Sequence, residues 1–483
     1  MSNSHVMLRK TLIFIWLSAT VLCTTAQDQN PNGDLWDLRK CLEYALETNL
    51  TLKQALLDRN INQVNLNESL EGRYPNLNAS SSASRFYGRS VNPFTNEFTE
   101  TAVNSLNMSA NAGVAIFRGM RTANTIKRNK LTLDASEMDI EDTRNTVALD
   151  VTAAYLSILL NQELLESAEL QVANTREQRE RTNKLVEAGQ LARNSLFELD
   201  AQIATEDLNV VNARNQVELA YLTLMQAMNY DPNQPFGIVF PNMDDPGSMH
   251  PANPDEIYNY AESNQPNIKA ANLRILSAEK DVAISKGIWM PTLSLFGNIS
   301  TGYADGRTRL ASSTQVINQQ ELILDGTPVT VGFPGVENTF EDIPVGDQLS
   351  DNVNYGFGVQ LNIPIYNNGN ARASVQRSQI GMIRARNNMD IQRQQLRQTI
   401  ERAHLDAVSA YAAYNQGQKS LDQLQLALDN TEKQYEVGMA NATDYLVARN
   451  NLTRAQNDVI RFKYDYIFKS KILDFYQDKP IGF

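Results

Sequence analysis

A heptad pattern near the C-terminus restricts the possible folds of this chain more than any other feature. Apolar residues recur every seven positions, at Tyr445, Leu452, Val459, Tyr466 and Leu473. A second apolar row, offset by three, consists of Ala448, Ala455 and Phe462. Two rows with this spacing form the seam of a coiled coil. The pattern therefore predicts a long helix that begins after a glycine stop at Gly438 and packs along a second helix.

The same pattern occurs 249 positions earlier, which indicates an internally duplicated chain. That offset pairs Gly438 with Gly189 and gives a matching heptad row at Leu196, Ile203, Val210, Val217 and Leu224. Further upstream, an offset of 216 pairs Pro75 with Pro291. We therefore expect a first repeat at residues 27–230, a linker at 231–254 and a second repeat at 255–483.

The N-terminal segment has the features of a secretory signal peptide. Basic residues precede an apolar run at 11–22, and small residues follow it. We therefore expect residues 1–26 to be removed and the mature chain to begin near Gln27. A lipoprotein anchor at Cys23 is the second possibility, since Leu22 before it is bulkier than lipidation sites usually allow.

The remaining composition argues against several classes of protein. No other segment approaches the roughly 18 consecutive apolar residues of a membrane-spanning helix. A net charge of −12, without any cluster of Lys and Arg, argues against nucleic acid as a partner. The mature chain has only Cys41, His250 and His404 as Cys and His residues, so we expect no metal, no cofactor and no catalytic constellation. The sequence therefore does not predict an enzyme.

Each predicted repeat contains one pair of strands, in which apolar residues alternate with uncharged polar ones. The first pair spans about residues 74–117 and the second about 289–366. About a dozen residues join the first pair. A long surface loop at about 304–351, with a small hairpin of its own near 321–331, joins the second. The pattern predicts four long strands in all.

Alternation alone fits either the half-buried sheet of a soluble sandwich or the sheet of a membrane barrel. The length of the strands, about 10–15 residues, favours the membrane. Aromatic residues near the strand ends favour it too, and these are Phe86, Tyr87, Phe117, Trp289, Tyr303, Tyr355 and Tyr366. Four strands cannot close a barrel, which needs about eight, and lipid does not tolerate an open edge. Several chains must then contribute strands to one barrel.

Two helical runs lead from the strands to the glycine turns, at residues 122–188 and 371–437. Each holds close to 67 residues, which is roughly 100 Å at 1.5 Å per residue. That length is several times the thickness of a bilayer core. Helices of this length are stable only in a coiled-coil assembly, so we expect them to stand in water.

These features together resemble the TolC-type outer membrane efflux protein family over essentially the whole mature chain. The most specific residues are Tyr435-Glu436-Val437-Gly438, followed by Asp444, Leu446, Ala448, Asn451, Leu452 and Ala455. The resemblance implies an α+β membrane protein that forms a homotrimer, with four strands per chain in one twelve-stranded barrel in outer membrane lipid. It also implies that the long helices form a coiled-coil α-barrel in the periplasm of a Gram-negative bacterium.

The resemblance implies a function as well. Such proteins are passive exit ducts of tripartite efflux or type I secretion systems, and they dock with a periplasmic adaptor protein and an inner membrane pump of the RND or ABC type. Asp444 and Tyr435 match residues of the family's periplasmic aperture. We expect the adaptor to dock at the turns that contain Gly189, Gly438 and Ser195. A trimeric coiled-coil structural or adhesive surface protein is the alternative function.

The chain departs from the family pattern at the aperture. Val447 stands in place of a second aspartate, Ala440 in place of an arginine, and Ser195 is the first-repeat counterpart of Asp444. We therefore expect a weaker latch and a less cation-binding mouth. Asp444 itself has two compatible roles, because three copies on an axis form a carboxylate ring that attracts cations, and an Asp before an apolar helical run is a common N-terminal cap.

Overall fold

The computed structural model describes residues 35–91, 98–241, 253–324 and 326–479, together with the single positions 245, 247 and 249. The predictions that concern residues 1–26, Cys23 and His250 lie outside the described residues. None of the helices in the described part of the chain is both long and apolar enough to cross a membrane.

Nine α-helices, one short 3-10 helix (Gly287–Trp289) and eight strands make up the described chain. The helices are α1 (Leu38–Thr48), α2 (Leu50–Glu71), α3 (Arg121–Glu187), α4 (Asn194–Met228), α5 (Pro254–Asn264), α6 (Pro266–Lys286), α7 (Val345–Asp351), α8 (Asn370–Glu436) and α9 (Ala442–Tyr476). The strands are β1 (Leu35–Trp36), β2 (Asn76–Val91), β3 (Phe98–Arg118), β4 (Gly237–Ile238), β5 (Thr292–Ala304), β6 (Thr308–Leu324), β7 (Thr327–Asp342) and β8 (Asn354–Asn362). Apart from β6, β7 and α7, the two halves follow the same order of elements.

The long helices follow the predicted runs closely. Helices α3 and α8 have 67 residues each, and α4 and α9 have 35 each. Helix α8 packs along α9 and α3 along α4, while α3 also contacts α9. The heptad row of α9 is buried along its full length, at Tyr445, Leu452, Val459, Tyr466 and Leu473. In α4, Val217 and Leu224 are buried and the other three heptad residues are half-buried. The predicted coiled-coil seams are therefore present.

The backbone supports the predicted duplication independently of side-chain identity. Apart from Gly306 and Gly326, which flank β6, the described residues with positive φ form four pairs that lie 249 positions apart. The pairs are Gly119 with Asn368, Met120 with Gly369, Gly189 with Gly438, and Asn229 with Asp478. The two repeats at 27–230 and 255–483 stay a prediction, which this shared offset supports.

The four predicted strands lie in one antiparallel sheet with the order β2-β3-β5-β8. Strands β2 and β8 form its two edges and have no further strand partner in the described chain. One face of the sheet is apolar and open to solvent in the single chain. Tyr355, Phe357 and Val359 on this face are 81%, 86% and 62% exposed. The sheet therefore needs both an apolar surrounding and partners for its edges.

A hairpin near 321–331 is present as predicted, but it is only the end of a much longer one. Strands β6 and β7, of 17 and 16 residues, pair over almost the whole loop and form a hairpin that we call the outer arm, residues 308–342. Helix α7 follows it before β8 begins. The arm is hard to predict because Pro328, Gly332, Pro334 and Gly335 interrupt the pattern of β7.

Three other boundaries also differ from the sequence-based expectation. Strand β8 ends at Asn362 instead of continuing to about residue 366, because Pro364 has no N–H for the strand ladder. Only residues 92–97 separate β2 from β3, fewer than the predicted dozen. The first helical segment is divided at Asn49, whose side chain accepts hydrogen bonds from the N–H groups of Thr51 and Leu52.

A mixed core joins the N-terminal segment to the middle of the long helices. Strands β1 and β4 form a short parallel pair that the sequence did not predict. Beside it, the rings of Trp36, Tyr44, Tyr230 and Phe236 meet mostly edge to face, with centroids 5.2–5.6 Å apart. The single described cysteine, Cys41, is buried in this core, and burial raises the pKa of its thiol to about 12.

Candidate functional site

The two turns at the ends of the long helices share one backbone structure. We call residues 188–193 and 437–441 the tip turns. In the first, the N–H groups of Gly189 and Gln190 donate to the carbonyls of Val186 and Leu185 at 3.0 and 2.9 Å. In the second, Gly438 and Met439 donate to the carbonyls of Tyr435 and Gln434 at 3.0 and 2.7 Å. Both turns are therefore Schellman motifs, which satisfy the last carbonyls of a helix.

Glycine is required in these turns by backbone conformation and not by space. Gly189 and Gly438 have φ values of +76° and +74°, in the left-handed region. A Cβ atom added to either would meet no atom within 4 Å. The side of each turn is therefore open, and only the left-handed backbone selects glycine there.

Asp444 takes part in a capping box at the start of α9. Its backbone N–H donates to Oδ1 of Asn441 at 2.8 Å, and its Oδ2 accepts from the N–H of Asn441 at 3.4 Å. The helix cap proper is therefore Asn441, and Asp444 holds the third helical position. The side chain of Asp444 is exposed, so the cap leaves its carboxylate accessible to water and ions.

Tyr435 lies inside the protomer instead of beside Asp444 on the surface. Its side chain is 1% exposed and stacks on Tyr445, with ring centroids 5.4 Å apart and planes 19° apart. Its hydroxyl oxygen has no hydrogen-bond partner among the described residues. Leu191 of the first tip turn packs on the same cluster, which also contains Ala442. Tyr435 therefore helps to hold the two tip turns together within one chain.

The other predicted site residues lie around these turns. Ser195 lies in the first turn of α4 and is half-buried, and its backbone N–H donates to the carbonyl of Ala192 at 3.1 Å. Val437, Met439 and Val447 are 71%, 80% and 54% exposed. The second tip thus presents apolar side chains to solvent beside Gly438. The assignments of Asp444, Tyr435, Gly189, Gly438 and Ser195 to an aperture and a docking surface stay predictions.

A buried polar network above the tips was not predicted from the sequence. Glu206 of α4 is 1% exposed, and its Oε1 accepts hydrogen bonds from the side-chain amides of Gln171 and Gln202 at 2.9 and 2.8 Å. Arg449 of α9 is 8% exposed and donates to the carbonyl of Gln171 at 3.2 Å and to the hydroxyl of Tyr445 at 2.9 Å. Gln171 of α3 therefore links a buried carboxylate on α4 to a buried guanidinium on α9.

This network has a recognisable signal in the sequence. Glu206 stands in the row offset by three from the first heptad row, between Leu199 and Ala213, where a coiled coil normally has an apolar residue. Burial raises the pKa of the Tyr445 hydroxyl, which therefore stays protonated beside Arg449.

No group of three or more His, Cys, Asp or Glu side chains in the described ranges is arranged to hold a metal ion.

Comparison with known proteins gives consistent matches over nearly the whole chain. The family model described as "Outer membrane efflux protein" matches residues 41–230 and 257–473. The outer membrane efflux protein BepC of Brucella suis is 22% identical, over 88% of this chain and 84% of its own. The outer membrane protein TolC of Escherichia coli is also 22% identical, over 71% of this chain and 64% of its own.

The fold has close counterparts among solved structures. The outer membrane protein VceC from Vibrio cholerae aligns with a TM-score of 0.70 at 14% identity, covering 92% of this chain and 97% of its own. The combination of long helices and a small set of strands is therefore a known architecture.

Proposed function

This chain belongs to the outer membrane efflux protein family, and we propose that three copies of it form a passive exit duct through the outer membrane. Each copy contributes four strands to one twelve-stranded barrel, and the long helices form the wall of a periplasmic α-barrel. A periplasmic adaptor and an inner membrane pump of the RND or ABC type supply the cargo and the energy. The duct performs passage without catalysis and needs no cofactor.

The observation that carries this proposal is the four-stranded sheet with two open edges and an exposed apolar face. In lipid each unpaired backbone group costs several kcal/mol, so the edges at β2 and β8 must be paired. A closed barrel needs about eight strands, which a single copy does not have. Three copies supply enough strands for a barrel with an open interior.

Asp444 forms a carboxylate ring at the periplasmic end in this proposal. The exposed side chain lies beside the second tip turn, where three copies surround the axis of the duct. At about 4 Å in water, each carboxylate attracts a monovalent cation by about 1 kcal/mol. The ring therefore gives the duct a preference for cations, as rings of acidic side chains do in channels.

Replacing Asp444 should remove this preference. We expect Asp444→Ala and Asp444→Asn to lower the cation-to-anion permeability ratio by roughly fivefold, since about 1 kcal/mol of attraction is lost. The measurement is the single-channel conductance of the mature protein in a planar bilayer under a salt gradient. The two variants separate the roles, because asparagine keeps an oxygen that accepts from the N–H of Asn441 and alanine does not.

Three outcomes are then distinct. Equal loss of selectivity in both variants supports the ring. A change in Asp444→Ala alone reduces Asp444 to a helix-capping residue. A membrane protein that never conducts, in any variant, contradicts the duct itself.

The tip turns form the docking surface for the adaptor in this proposal. Val437 and Met439 beside Gly438, and Phe197 near Gly189 and Ser195, expose 71%, 80% and 63% of their surface. Exposed apolar groups of this kind, clustered at one end of a molecule, are typical of a protein interface.

A charge placed on this surface should prevent docking. We expect Met439→Asp to reduce recovery of the adaptor in a pull-down from crosslinked cells by about tenfold, because a buried unpaired carboxylate opposes the apolar contact. The matched control is Ile323→Asp on the outer arm, where an apolar residue of similar exposure, 78%, lies far from the tips. Equal recovery with both variants would locate the docking surface elsewhere.

A further inference from the structure

The two edges of the four-stranded sheet carry opposite charge at the end away from the long helices. Strand β2 holds Arg85 and Arg89 in its outer half and has no carboxylate. At the opposite edge, the base of the outer arm and the residues on either side of it form a corner, residues 305–309 and 341–352. The corner has two guanidinium groups, Arg307 and Arg309, and five carboxylates, at Asp305, Glu341, Asp342, Asp347 and Asp351.

The acidic corner is a built structure that extends the β8 edge outward. Strand β8 pairs with β5 only as far as Ser300, and β5 continues to Ala304. Helix α7 lies beside this last part of β5. There the N–H of Ala304 donates to Oε1 of Gln348 at 3.1 Å, and Oγ1 of Thr301 donates to the carbonyl of Leu349 at 2.6 Å. Gln348 is only 3% exposed, so α7 is fixed at this edge.

The basic edge has free charge on the same face of the sheet. Arg85 and Arg89 are exposed, and their guanidinium groups lie over the rings of Tyr87 and Phe98 at 5.1 and 4.6 Å. Neither has an ion-pair partner within 4 Å among the residues whose side chains the structure describes. Arg85 is paired with Asn104, an uncharged residue, across the β2–β3 strand pair.

Side chains alternate between the two faces of a strand, and this alternation places the arginines of β2 and helix α7 of the acidic corner on the same side of the sheet. Arg85 and Ser81 lie on the same face of β2, and Ser81 is paired with Met108, which is paired in turn with Thr301. The hydroxyl of Thr301 contacts α7. A ring of copies of this sheet joins the β8 edge of one copy to the β2 edge of the next. The basic and acidic groups then approach each other at every junction.

We propose that Arg85 and Arg89 of one copy form ion pairs with the acidic corner of the neighbouring copy, and so clasp the outer rim of the barrel. This inference rests on the proposed assembly of three copies. Within the corner, Arg309 already holds Glu341 at 2.6 Å and Asp347 at 3.7 Å. Asp342 and Asp351 have no ion-pair partner within the described ranges, and they are the groups that receive the arginines of the next copy.

The clasp determines which edges of the copies meet. Opposite charges attract across the correct β8–β2 junction, whereas two β2 edges or two acidic corners repel each other. The attraction acts at the rim beyond the last backbone hydrogen bond of β8. It therefore closes the part of each junction that has fewest strand contacts.

Charge reversal and charge exchange test the clasp. Arg85→Glu with Arg89→Glu, and separately Asp342→Lys with Asp351→Lys, should each speed dissociation of the purified trimer in detergent by about tenfold. A tenfold change corresponds to about 1.4 kcal/mol, which is the combined contribution of several exposed ion pairs. The variant that carries all four changes should return to within about twofold of wild type.

Two controls separate the clasp from a general effect of surface charge. Arg73→Glu reverses an exposed arginine just before the opposite end of β2 and should leave dissociation unchanged. In wild type, salt at about 1 M, where the Debye length is about 3 Å, should mimic the arginine variant. If the arginine reversals speed dissociation and the variant with all four changes still dissociates fast, the arginines bind anionic lipid headgroups. That result overturns the clasp. A stable wild-type trimer that is indifferent to both reversals also overturns it and leaves the duct intact. A monomeric wild type would contradict the proposed assembly itself.

Discussion

Alanine in place of Gly287 is expected to abolish assembly of the folded protein in the outer membrane. Gly287 follows α6 at the junction with β5, and Gly119 follows β3 at the junction with α3. The two backbones cross without room for a side chain. A Cβ atom on Gly287 would lie 2.5 Å from the carbonyl oxygen of Gly119 and 2.5 Å from Cγ of Arg121. Backbone cannot move aside as a flexible side chain can, so the cost is about 3–5 kcal/mol.

The reciprocal position is equally restricted. A Cβ atom on Gly119 would lie 2.5 Å from the carbonyl oxygen of Gly287, and φ at Gly119 is +61°. Both strain and overlap therefore oppose Gly119→Ala. The two glycines set the angle between the sheet and the helices, because the β3–α3 connection and the α6–β5 connection touch at these residues.

The measurement is the amount of folded, heat-modifiable protein in outer membrane fractions. Gly381→Ala is the matched control, since this glycine lies inside α8 without a positive φ, and a Cβ atom added to it would meet no atom within 4 Å. We expect that control to be neutral or stabilising by up to about 1 kcal/mol. Equal amounts of folded Gly287→Ala and Gly381→Ala would contradict the proposed crossing.

Leucine in place of Gln171 is expected to destabilise the packing of α4 on α3 by about 2–4 kcal/mol. The side-chain amide of Gln171 donates to Glu206, whose Oε2 already has no partner among the described residues. Leucine removes this donor and leaves a buried carboxylate with Gln202 alone. Loss of a hydrogen bond to a buried charge is among the most costly of single-residue changes. The backbone carbonyl that binds Arg449 remains, so the effect reports the side of the network around Glu206.

Thermal unfolding of the helical signal in detergent measures this effect. We expect the midpoint of Gln171→Leu to fall by several degrees. Gln216→Leu is the control, because Gln216 is exposed on α4, and a surface change of this kind usually stays within about 0.5 kcal/mol. If Gln171→Leu and Gln216→Leu unfold at the same midpoint temperature, the network contributes nothing to stability.

The sequence predicts the long helices and the strands of the main sheet better than it predicts the contacts between them. Heptad spacing alone identifies the buried row from Tyr445 to Leu473, because a seam residue repeats at fixed intervals along one helix. The glycines of the tip turns are equally visible, since a left-handed residue ends a helix locally. Alternation gives the four sheet strands for the same reason. Each of these signals depends on residues that are near each other in the chain.

The features that sequence reasoning missed depend on contacts between distant segments. Glu206 stands in a seam row of the heptad pattern, but the sequence does not show that Gln171 of α3 donates to it. The sequence offers Tyr435 as an aperture residue, which stays a prediction, but it does not show that Tyr445 and Leu191 pack on this side chain within one chain. The outer arm is underestimated because Gly and Pro hide its alternation. Nothing in the local pattern of these residues records what packs on them.

The outer arm also has a consequence for how much of this protein is free to vary. Each of its strands is 16 or 17 residues long, about 55 Å at 3.3 Å per residue, and beyond its base it packs on no other described helix or strand. A segment that supports nothing else can be shortened, exchanged or lengthened with little effect on the wall that carries it. In the proposed orientation it is also the part that a cell presents to antibodies, phages and proteases. The arm is therefore where we expect sequences of this kind to diversify fastest, and where a foreign peptide is best inserted for display at the cell surface.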